Sequence, residues 1–472
     1  MISIRKIICC SFLLIISSCS LIKKPTYDLL IENINVIDYK SGKIISNQNI
    51  GILEDSILFV RHYSNNQDKK AKKIIKGTGK YAIPGLWDNH IHLRGGDSLI
   101  KANKEFLSLF IANGITGIRD AGGDLSVQIR KWRNEINKGI LVGPKIYTSG
   151  PKIDGAKSRW PGSIEVEDIS QVEKALDSLE AIEADFIKLY DSKISRTVYL
   201  EVLKQAKSRN MITSGHMPFT VLLNENIENG IGSIEHLYYI LKGCSSKEEE
   251  VTHKISNGEL GFWDSFEILM NSYDAETAKN SFQLMRNHNT FVTPTLYIGN
   301  VLSNLKTTKH EHDTYLEYIN NSLANTYKGR VNSALNANEE RYQMRLKLQH
   351  KFQELTAYLQ KAEVSLLAGS DCGAFNSYIY PGISLHQELE AMVAAGLSNI
   401  EALRTSTYNG ASFLRQDDFY GLIAQGKAAD ILLLDKNPLI DITHTRKIHM
   451  LIYKGKVFSK DRLNQLKQAT KN

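Results

Sequence analysis

The sequence predicts an α/β protein in which a (β/α)8 barrel carries a small β-sandwich built from both ends of the chain. Two observations predict this fold. Short apolar runs separated by helical periods fill the chain from Pro84 to about Leu414, and alternating apolar and polar positions occupy both flanks. With 472 residues, of which 42% are hydrophobic and 23% charged, the chain is long enough for one large and one small domain.

The first twenty residues, MISIRKIICCSFLLIISSCS, have the pattern of a secretory signal. Two basic residues precede an apolar stretch that is too short to span a bilayer as a stable helix. The letters IISSC are typical of a bacterial lipobox, in which the cysteine is lipidated, and the alternative is a plain signal with an incidental cysteine. We therefore expect a signal at residues 1–18, a lipid anchor on Cys19 and a tether at residues 19–25. This predicts a bacterial cell-envelope protein at the outer membrane or the periplasmic face.

Charge and cysteine content exclude two other classes of protein. Removal of residues 1–18 takes away two of the 58 basic residues and none of the 51 acidic ones, which leaves a net charge of +5. This excess is too diffuse to predict nucleic-acid binding. Of the five cysteines, only Cys244 and Cys372 lie beyond the predicted anchor, so no disulfide framework is expected.

Residues 26–83 alternate apolar and polar positions between Asn, Gly and Lys turns, a pattern typical of half-buried antiparallel strands. A similar pattern returns within residues 416–472, in ADILLLDKNPL and KIHMLIYKGKVF. The simplest packing joins these segments in one sandwich, so that residues 84–415 are inserted between its two parts.

Eight apolar runs in the insertion have the length of barrel strands, and helical segments separate them. In chain order the runs are AIPGLWDNHIHL, GITGIRDAGG, PKIYTSGP, DFIKLYDS, MITSGHM, GSIEHLYY, TFVTPTLY and SLLAGSDCG.

Between the seventh and eighth runs lies a helical excursion, residues 300–345, that is longer than one barrel loop requires. It is interpreted either as a cap over the barrel mouth or as a solvated excursion. After it, Leu348, Phe352, Leu355 and Leu359 share one helical face and predict the ordinary helix before the last strand.

Polar residues cluster at the C-terminal ends of these runs, which converge on one face of a parallel barrel. Each has an ordinary alternative, such as a core histidine, a surface lysine or a capping aspartate. Together they predict a metal site of the kind that binds zinc. The residues are His90 and His92 in the first run, Lys188 in the fourth, His216 in the fifth, His236 in the sixth and Asp371 in the eighth. Lys188 requires neutralisation, because a protonated amine has no lone pair to donate and is unfavourable beside a dication.

The order and spacing of these motifs resemble the amidohydrolase superfamily, in particular its imidazolonepropionase-like and Xaa-Pro dipeptidase-like branch. The resemblance runs over nearly the whole mature chain. It is carried by IPGLWDNHIHL, NGITGIRDAGG, GPKIYTSGP, ADFIKLYD, GHM, IEHL, LLAGSDCG, LHQELEAMVAAGLSNIEALRTSTYNGASFL and GLIAQGKAADILLLDKNPLIDI.

The resemblance implies a centre with two divalent ions, for which zinc is expected, and a single ion is the alternative. It implies that CO2 converts Lys188 to a carbamate that bridges both ions. It further implies that His90, His92 and Asp371 hold the inner ion and that His216 and His236 hold the outer one. A hydroxide between the ions would then attack the carbonyl, with Asp371 as general acid and base.

These expectations favour a lipid-anchored, metal-dependent amidohydrolase that cleaves a C–N bond in short peptides or N-acyl amino acids, with Xaa-Pro dipeptides as one candidate. Hydrolysis of a cyclic amide or lactone by the same centre is an alternative, and a non-catalytic, metal- or ligand-binding surface lipoprotein is a second one. The sequence leaves a homo-oligomer open.

Two further residues are candidates for substrate binding. Tyr190 shares the strand face of Lys188, and its ordinary alternative is an aromatic residue of the barrel rim. Arg159, with Lys157 and Trp160, lies in the loop after the third run and could bind a C-terminal carboxylate, whereas basic loops are more commonly just solvated.

Overall fold

The structure is a computed structural model that describes residues 27–64 and 71–471. The predicted signal, the tether and Cys19 lie outside the described residues. Within those residues, every helix is too short or too polar to span a membrane.

The described residues form strands and helices of the following extents. The strands are β1 Tyr27–Asp38, β2 Lys43–Leu53, β3 Ser56–His62, β4 Ala71–Lys76, β5 Tyr81–Pro84, β6 Leu86–His92, β7 Ile115–Asp120, β8 Lys145–Thr148, β9 Ile153–Asp154, β10 Ile164–Glu165, β11 Ile187–Leu189, β12 Thr213–Gly215, β13 Ser233–Glu235, β14 Phe291–Thr293, β15 Cys372–Gly373, β16 Ile431–Leu434, β17 Ile448–Tyr453 and β18 Lys456–Ser459. The helices are α1 Ile100–Glu105, α2 Leu107–Ala112, α3 Ser126–Asn137, α4 Val172–Ala181, α5 Arg196–Ser208, α6 Leu223–Glu228, α7 Tyr238–Gly243, α8 Glu248–Ser256, α9 Ser265–Asn271, α10 Ala275–Asn287, α11 Leu296–Asn304, α12 Asn321–Asn325, α13 Lys328–Leu335, α14 Glu339–Lys361, α15 Ser384–Ala394, α16 Asn399–Thr405, α17 Tyr408–Phe413 and α18 Lys460–Gln468.

The two ends of the chain form one eight-stranded sheet, in the order β18-β17-β16-β5-β1-β2-β3, with β4 paired beside β1. Strand β5 joins the halves, because it lies between β1 from the N-terminal part and β16 from the C-terminal part. The sheet has its own apolar core, in which Ile31 and Ile50 pack with Ile431 and Leu433. The predicted union of both chain ends in one small β-domain is therefore confirmed.

Strand direction in this sheet differs from the expectation of antiparallel pairing. Strands β1, β2 and β3 are antiparallel, but β4 and β5 run parallel to β1. A parallel pair needs a crossover connection, and the β2–β3 hairpin lies within that connection. The alternating pattern identified the strands but does not encode their direction, so this detail of the prediction was wrong.

The insertion forms the predicted (β/α)8 barrel. Seven of the eight runs contain the strands β6, β7, β8, β11, β12, β13 and β14. The eighth run closes the barrel: it contains the short strand β15, which pairs in parallel with β6. Before β15, the Leu367 N–H donates to the Val292 carbonyl at 2.9 Å, and the Asn89 N–H donates to the Ala368 carbonyl at 2.9 Å. All seven residues of β6 are buried, as expected for a parallel strand covered on both faces. The structure also adds the short strands β9 and β10 in the loop after the third run.

The helical excursion, residues 300–345, contributes α12, α13 and the first turns of α14, and we call these residues the cap. The cap lines the same cavity as His216, His236 and Asp371, so the first of its two interpretations is the one observed. Beyond it, the four apolar residues of the predicted barrel helix, Leu348, Phe352, Leu355 and Leu359, are all buried in α14.

Candidate metal centre

The six predicted ligand residues meet at the C-terminal ends of the barrel strands. Their relative positions follow from the elements that carry them: His90 and His92 in β6, Lys188 in β11, His216 directly after β12, His236 directly after β13 and Asp371 directly before β15. The His90 ring lies 5.1 Å from that of His92 and 5.3 Å from that of His236. The rings of His216 and His236 are 5.0 Å apart.

Three of these residues form a compact group of ligand atoms. One atom each from His90, His236 and Asp371 lie within 4.8 Å of one another, a separation suited to ligands of a metal centre. The Asp371 Oδ1 atom is 3.6 Å from His90 Nε2 and 3.2 Å from His92 Nε2.

Each of the four imidazoles is oriented through its Nδ1 atom. His90 Nδ1 lies 2.5 Å from Glu235 Oε2, and His216 Nδ1 lies 3.0 Å from Asp191 Oδ1. Partners of His92 and His236 are the Gly122 carbonyl at 3.2 Å and the Thr295 hydroxyl at 2.7 Å. A histidine whose Nδ1–H is donated in this way keeps the Nε2 lone pair free for a metal.

Lys188 is completely buried, and its Nζ atom has no hydrogen-bond partner among the described residues. Burial lowers the pKa of this amine to about 8, although the charge of Glu235 opposes that change. Part of the amine is therefore neutral near physiological pH, which is the form that has a nucleophilic lone pair.

A buried ion pair that the sequence analysis did not identify lies behind the centre. The Glu235 carboxylate accepts hydrogen bonds from Arg119 Nη2 at 2.9 and 3.1 Å and from the Ser233 hydroxyl at 2.9 Å. Although burial raises the pKa of Glu235, the charges of Arg119 and Lys188 and the hydrogen bond from His90 lower it well below its usual value. Glu235 is therefore ionised, and its carboxylate accepts the hydrogen bond that His90 Nδ1–H donates.

Three residues around the centre have strained backbone conformations. His236, Thr295 and Asp371 all have left-handed backbone conformations, with φ values of 68°, 50° and 58°. Non-glycine residues rarely adopt this region, and such outliers cluster at functional sites. Adjacent residues of a regular strand point to opposite faces. The left-handed backbone of His236 instead directs its side chain into the barrel, on the same side as that of Glu235.

The donor set fits divalent ions. Imidazole and carboxylate atoms are the usual ligands of zinc. Two buried nitrogen atoms of the centre, His90 Nε2 and Lys188 Nζ, have no hydrogen-bond partner among the described residues. Burial lowers the pKa of all four histidines, so that they are neutral and able to coordinate.

A cavity of about 1030 Å3 opens above the centre, with His216, His236 and Asp371 at its base. Both predicted substrate-binding residues line it. The Tyr190 ring is 4.5 Å from the His216 ring, and the Arg159 guanidinium lies 6.0 Å from the Trp160 ring. Lys157 is not among the lining residues, so the structure brings together only part of the proposed clamp.

Comparison with protein families gives one model, described as the amidohydrolase family, that matches residues 81–458. Ochratoxinase from Aspergillus niger is 22% identical over 420 residues, which cover 83% of this chain and 78% of that protein. Adenine deaminase from Staphylothermus marinus is 28% identical over 226 residues, 45% of this chain. That match covers only 36% of the length of the Staphylothermus protein. Adenine deaminase from Thermosipho melanesiensis is 34% identical over 95 residues, which cover 15% of its length.

Solved structures share the fold over nearly the whole chain. A bottromycin amidohydrolase superposes with a TM-score of 0.72 at 19% identity, covering 95% of this chain and 91% of its own. A Xaa-Pro dipeptidase with bound methionine gives a TM-score of 0.68 at 18% identity, covering 91% of this chain and 99% of its own.

Proposed function

Because this chain belongs to the amidohydrolase family and is therefore a hydrolase of carbon–nitrogen bonds, we propose that it cleaves the amide bond of short peptides or N-acyl amino acids. The observation that carries this proposal is the set of four imidazoles, each held by a partner on Nδ1, around the buried Asp371 and Lys188. The dipeptidase and ochratoxinase similarities support the substrate class, and Xaa-Pro dipeptides are its narrower candidate.

We assign the ligands as follows: His90, His92 and Asp371 to an inner ion, His216 and His236 to an outer ion, and carbamylated Lys188 to both. When bound, two divalent ions, with zinc as the candidate, would acidify water and polarise a carbonyl. The neutral fraction of Lys188 can attack CO2: the Nζ–C bond forms, the amine proton leaves to solvent, and an anionic carbamate results.

Asp371 is the proposed proton carrier of the reaction. Although burial raises the pKa of Asp371, the neighbouring imidazoles of His92, His90 and His236 hold it well below its usual value. Asn376 Nδ2 donates to Asp371 Oδ1 at 2.8 Å and fixes the carboxylate. An ionised, fixed carboxylate can accept the proton of the attacking water and deliver it to the leaving amine.

Two cavity residues would orient the substrate. Burial, with the neighbouring Asp191 charge, raises the pKa of Tyr190, so its phenol stays protonated and can donate to a substrate carbonyl or carboxylate. Arg159 is exposed and lines the cavity, so its guanidinium can bind a carboxylate.

A substrate screen with metal analysis tests this function. The mature chain is assayed against dipeptides, N-acyl amino acids, lactones and adenine, with and without bicarbonate. We expect amide cleavage, about two ions per chain and an increase with bicarbonate. Lactone opening or ammonia release from adenine without amide cleavage would contradict the proposed substrate class.

The Lys188→Ala variant tests the bridging role of the lysine in the same assay. We expect it to lose activity and part of the bound metal, and to be insensitive to bicarbonate. Unchanged metal content and activity would show that Lys188 does not bridge the ions.

We also propose that Cys19 anchors the protein to the bacterial cell envelope. The Cys19→Ser variant should lose incorporation of labelled fatty acid and move from the membrane to the soluble fraction. Equal fatty-acid labelling of both proteins would contradict the anchor.

A further inference from the structure

Three arginines of the cap line the cavity that opens onto the metal centre. Arg330 lies on α13, and Arg341 and Arg345 lie one turn apart on α14. All three come from the excursion between the last two barrel strands, so none of them belongs to the framework of the barrel.

The positive charge of this group is uncompensated. Among the residues that the structure describes, no carboxylate lies within ion-pair distance of any of the three guanidinium groups, and none of them donates a hydrogen bond to a protein group. Arg341 and Arg345, at i and i+4, repel each other on one helix face. Partial burial, with the charges of Arg341 and Arg330, lowers the pKa of Arg345. Such an arrangement costs stability in the absence of an anion.

An aromatic wall connects these arginines with the metal centre. The Tyr238 ring lies 5.8 Å from that of Phe262, 6.0 Å from that of Trp263 and 5.0 Å from that of Phe352. The Arg341 guanidinium lies 5.0 Å from the centre of the Trp263 ring. Burial raises the pKa of Tyr238, and the charges of Arg330, Arg345 and Asp371 also act on its phenol. The arginines and the centre therefore flank the same side chain.

The cavity is also large for a dipeptide. Its volume of about 1030 Å3 slightly exceeds the range of roughly 300–1,000 Å3 that is typical of sites for drug-sized ligands. A substrate that fills it extends from the strand ends, along the aromatic wall, to the cap.

We propose that Arg330, Arg341 and Arg345 form a second anion subsite, which binds a carboxylate at the end of the substrate remote from the scissile bond. The substrate class is then an amide with a long apolar or aromatic acyl group that ends in an acid. Guanidinium groups recognise carboxylates through paired, charge-assisted hydrogen bonds, and the aromatic wall contacts the apolar body between the two ends. This inference rests on the proposed amide hydrolysis only for the position of the scissile bond.

Binding of matched ligands to the metal-free protein tests the subsite without any turnover. The probes are N-glutaryl-, N-suberyl- and N-sebacyl-L-phenylalanine, each compared by calorimetry with the same molecule carrying a terminal carboxamide. We expect at least one acid to bind about tenfold more tightly than its carboxamide, with a preference that weakens as salt is added. Equal affinities in all three pairs would overturn the proposal.

Substitutions in the cap test whether its three arginines cause the preference for a terminal acid. Arg341 is exposed, so Arg341→Glu is compatible with folding, and Arg330→Gln/Arg345→Gln is the second variant. We expect both to abolish the acid preference and to leave carboxamide binding unchanged. The matched control is Arg130→Ala, an exposed arginine on α3 outside the cavity, which should retain the preference. Equal weakening of acid and carboxamide by Arg341→Glu would instead indicate a structural role and overturn the subsite.

The metal-loaded enzyme separates this proposal from the proposed function. If amides are cleaved, the terminal acid should lower KM and leave kcat nearly unchanged, and Arg341→Glu should remove that advantage. If no amide is cleaved but the metal-free protein still prefers the acids, the subsite stands and the proposed reaction fails. Cleavage with the same KM for acids and carboxamides would overturn the subsite alone.

Discussion

At the scale of single residues, the centre depends on how its imidazoles are held as much as on the imidazoles themselves. Glu235, Asp191, Thr295 and the Gly122 carbonyl each contact a different Nδ1 atom. Because such contacts fix both ring orientation and tautomer, their loss typically weakens metal binding about 10- to 100-fold.

Glu235→Gln tests the buried pair behind His90. The substitution leaves the fully buried Arg119 without its counter-charge, so we expect the free energy of unfolding to fall by about 3 kcal/mol and metal affinity to fall at least about tenfold. Chemical unfolding and metal titration measure the two effects. Glu276→Gln, at an exposed pair on α10, is the control and should change neither. Unchanged metal affinity in Glu235→Gln would contradict its orienting role.

Asp371→Asn separates metal binding from proton transfer. The amide keeps an oxygen ligand but cannot carry a proton at neutral pH, so we expect metal content to be retained and kcat to fall by about 10² to 10⁴. Steady-state kinetics with metal analysis of the same sample provides the measurement. Turnover close to that of the parent enzyme would remove Asp371 as the acid and base.

The positions of the predicted ligands followed from their places at strand ends, but the residues that orient them did not. Glu235 and His236 are adjacent, and alternation along a strand would direct them to opposite faces. The left-handed backbone of His236 brings both into the barrel, and the sequence has no signal for a non-glycine residue in that conformation. The partner Arg119, within the motif GITGIRDAGG, is recognisable as a buried charge only once the barrel is closed.

At the scale of elements, the first turn of α11 is hydrogen-bonded to Glu388, a residue of α15. The backbone N–H groups of Leu296 and Tyr297 donate to Glu388 Oε1 and Oε2 at 2.9 and 2.7 Å. Glu388 is completely buried, so these bonds satisfy donors that water cannot reach. The same helix leads directly into the cap, and Glu388 therefore fixes where the cap begins.

Glu388→Ala tests this connection. Two buried N–H groups lose their acceptors, and we expect the free energy of unfolding to fall by about 1–3 kcal/mol, with a lower melting temperature. Differential scanning calorimetry measures the change. Glu267→Ala, an exposed glutamate on α9, provides the comparison and should have little effect. Equal melting temperatures for the two variants would show that α11 does not need this contact.

At the scale of the whole molecule, bound metal should stabilise the barrel, because the candidate ligands come from five segments that are remote in sequence. Whatever binds the folded chain and not the unfolded one raises the melting temperature. We therefore expect a chelator to lower the melting temperature of the mature protein and added zinc to restore it. A melting temperature that is unaffected by the chelator, in protein shown to have lost its metal, would contradict this coupling.

The fold class was predictable because two periodicities divide the chain, with strict alternation at its ends and short apolar runs between helical segments in its middle. Strand direction at β4 and β5 was not predictable, because an alternating pattern is the same in parallel and antiparallel pairs. The cap remained ambiguous for a similar reason: its amphipathic helices would look alike over a cavity and in solvent, and only the contact with the cavity distinguishes them.

Because both chain ends contribute strands to one sheet, this sheet can form only late in the synthesis of the chain. Strand β5 ends at Pro84, and its partner β16 begins at Ile431, so one edge of β5 has no neighbour until almost the entire chain has been synthesised. Pairings between such distant segments form slowly, and an open apolar edge in the meantime favours association with other chains. We therefore expect chains that terminate before Ile431 to aggregate even though their barrel strands are all present.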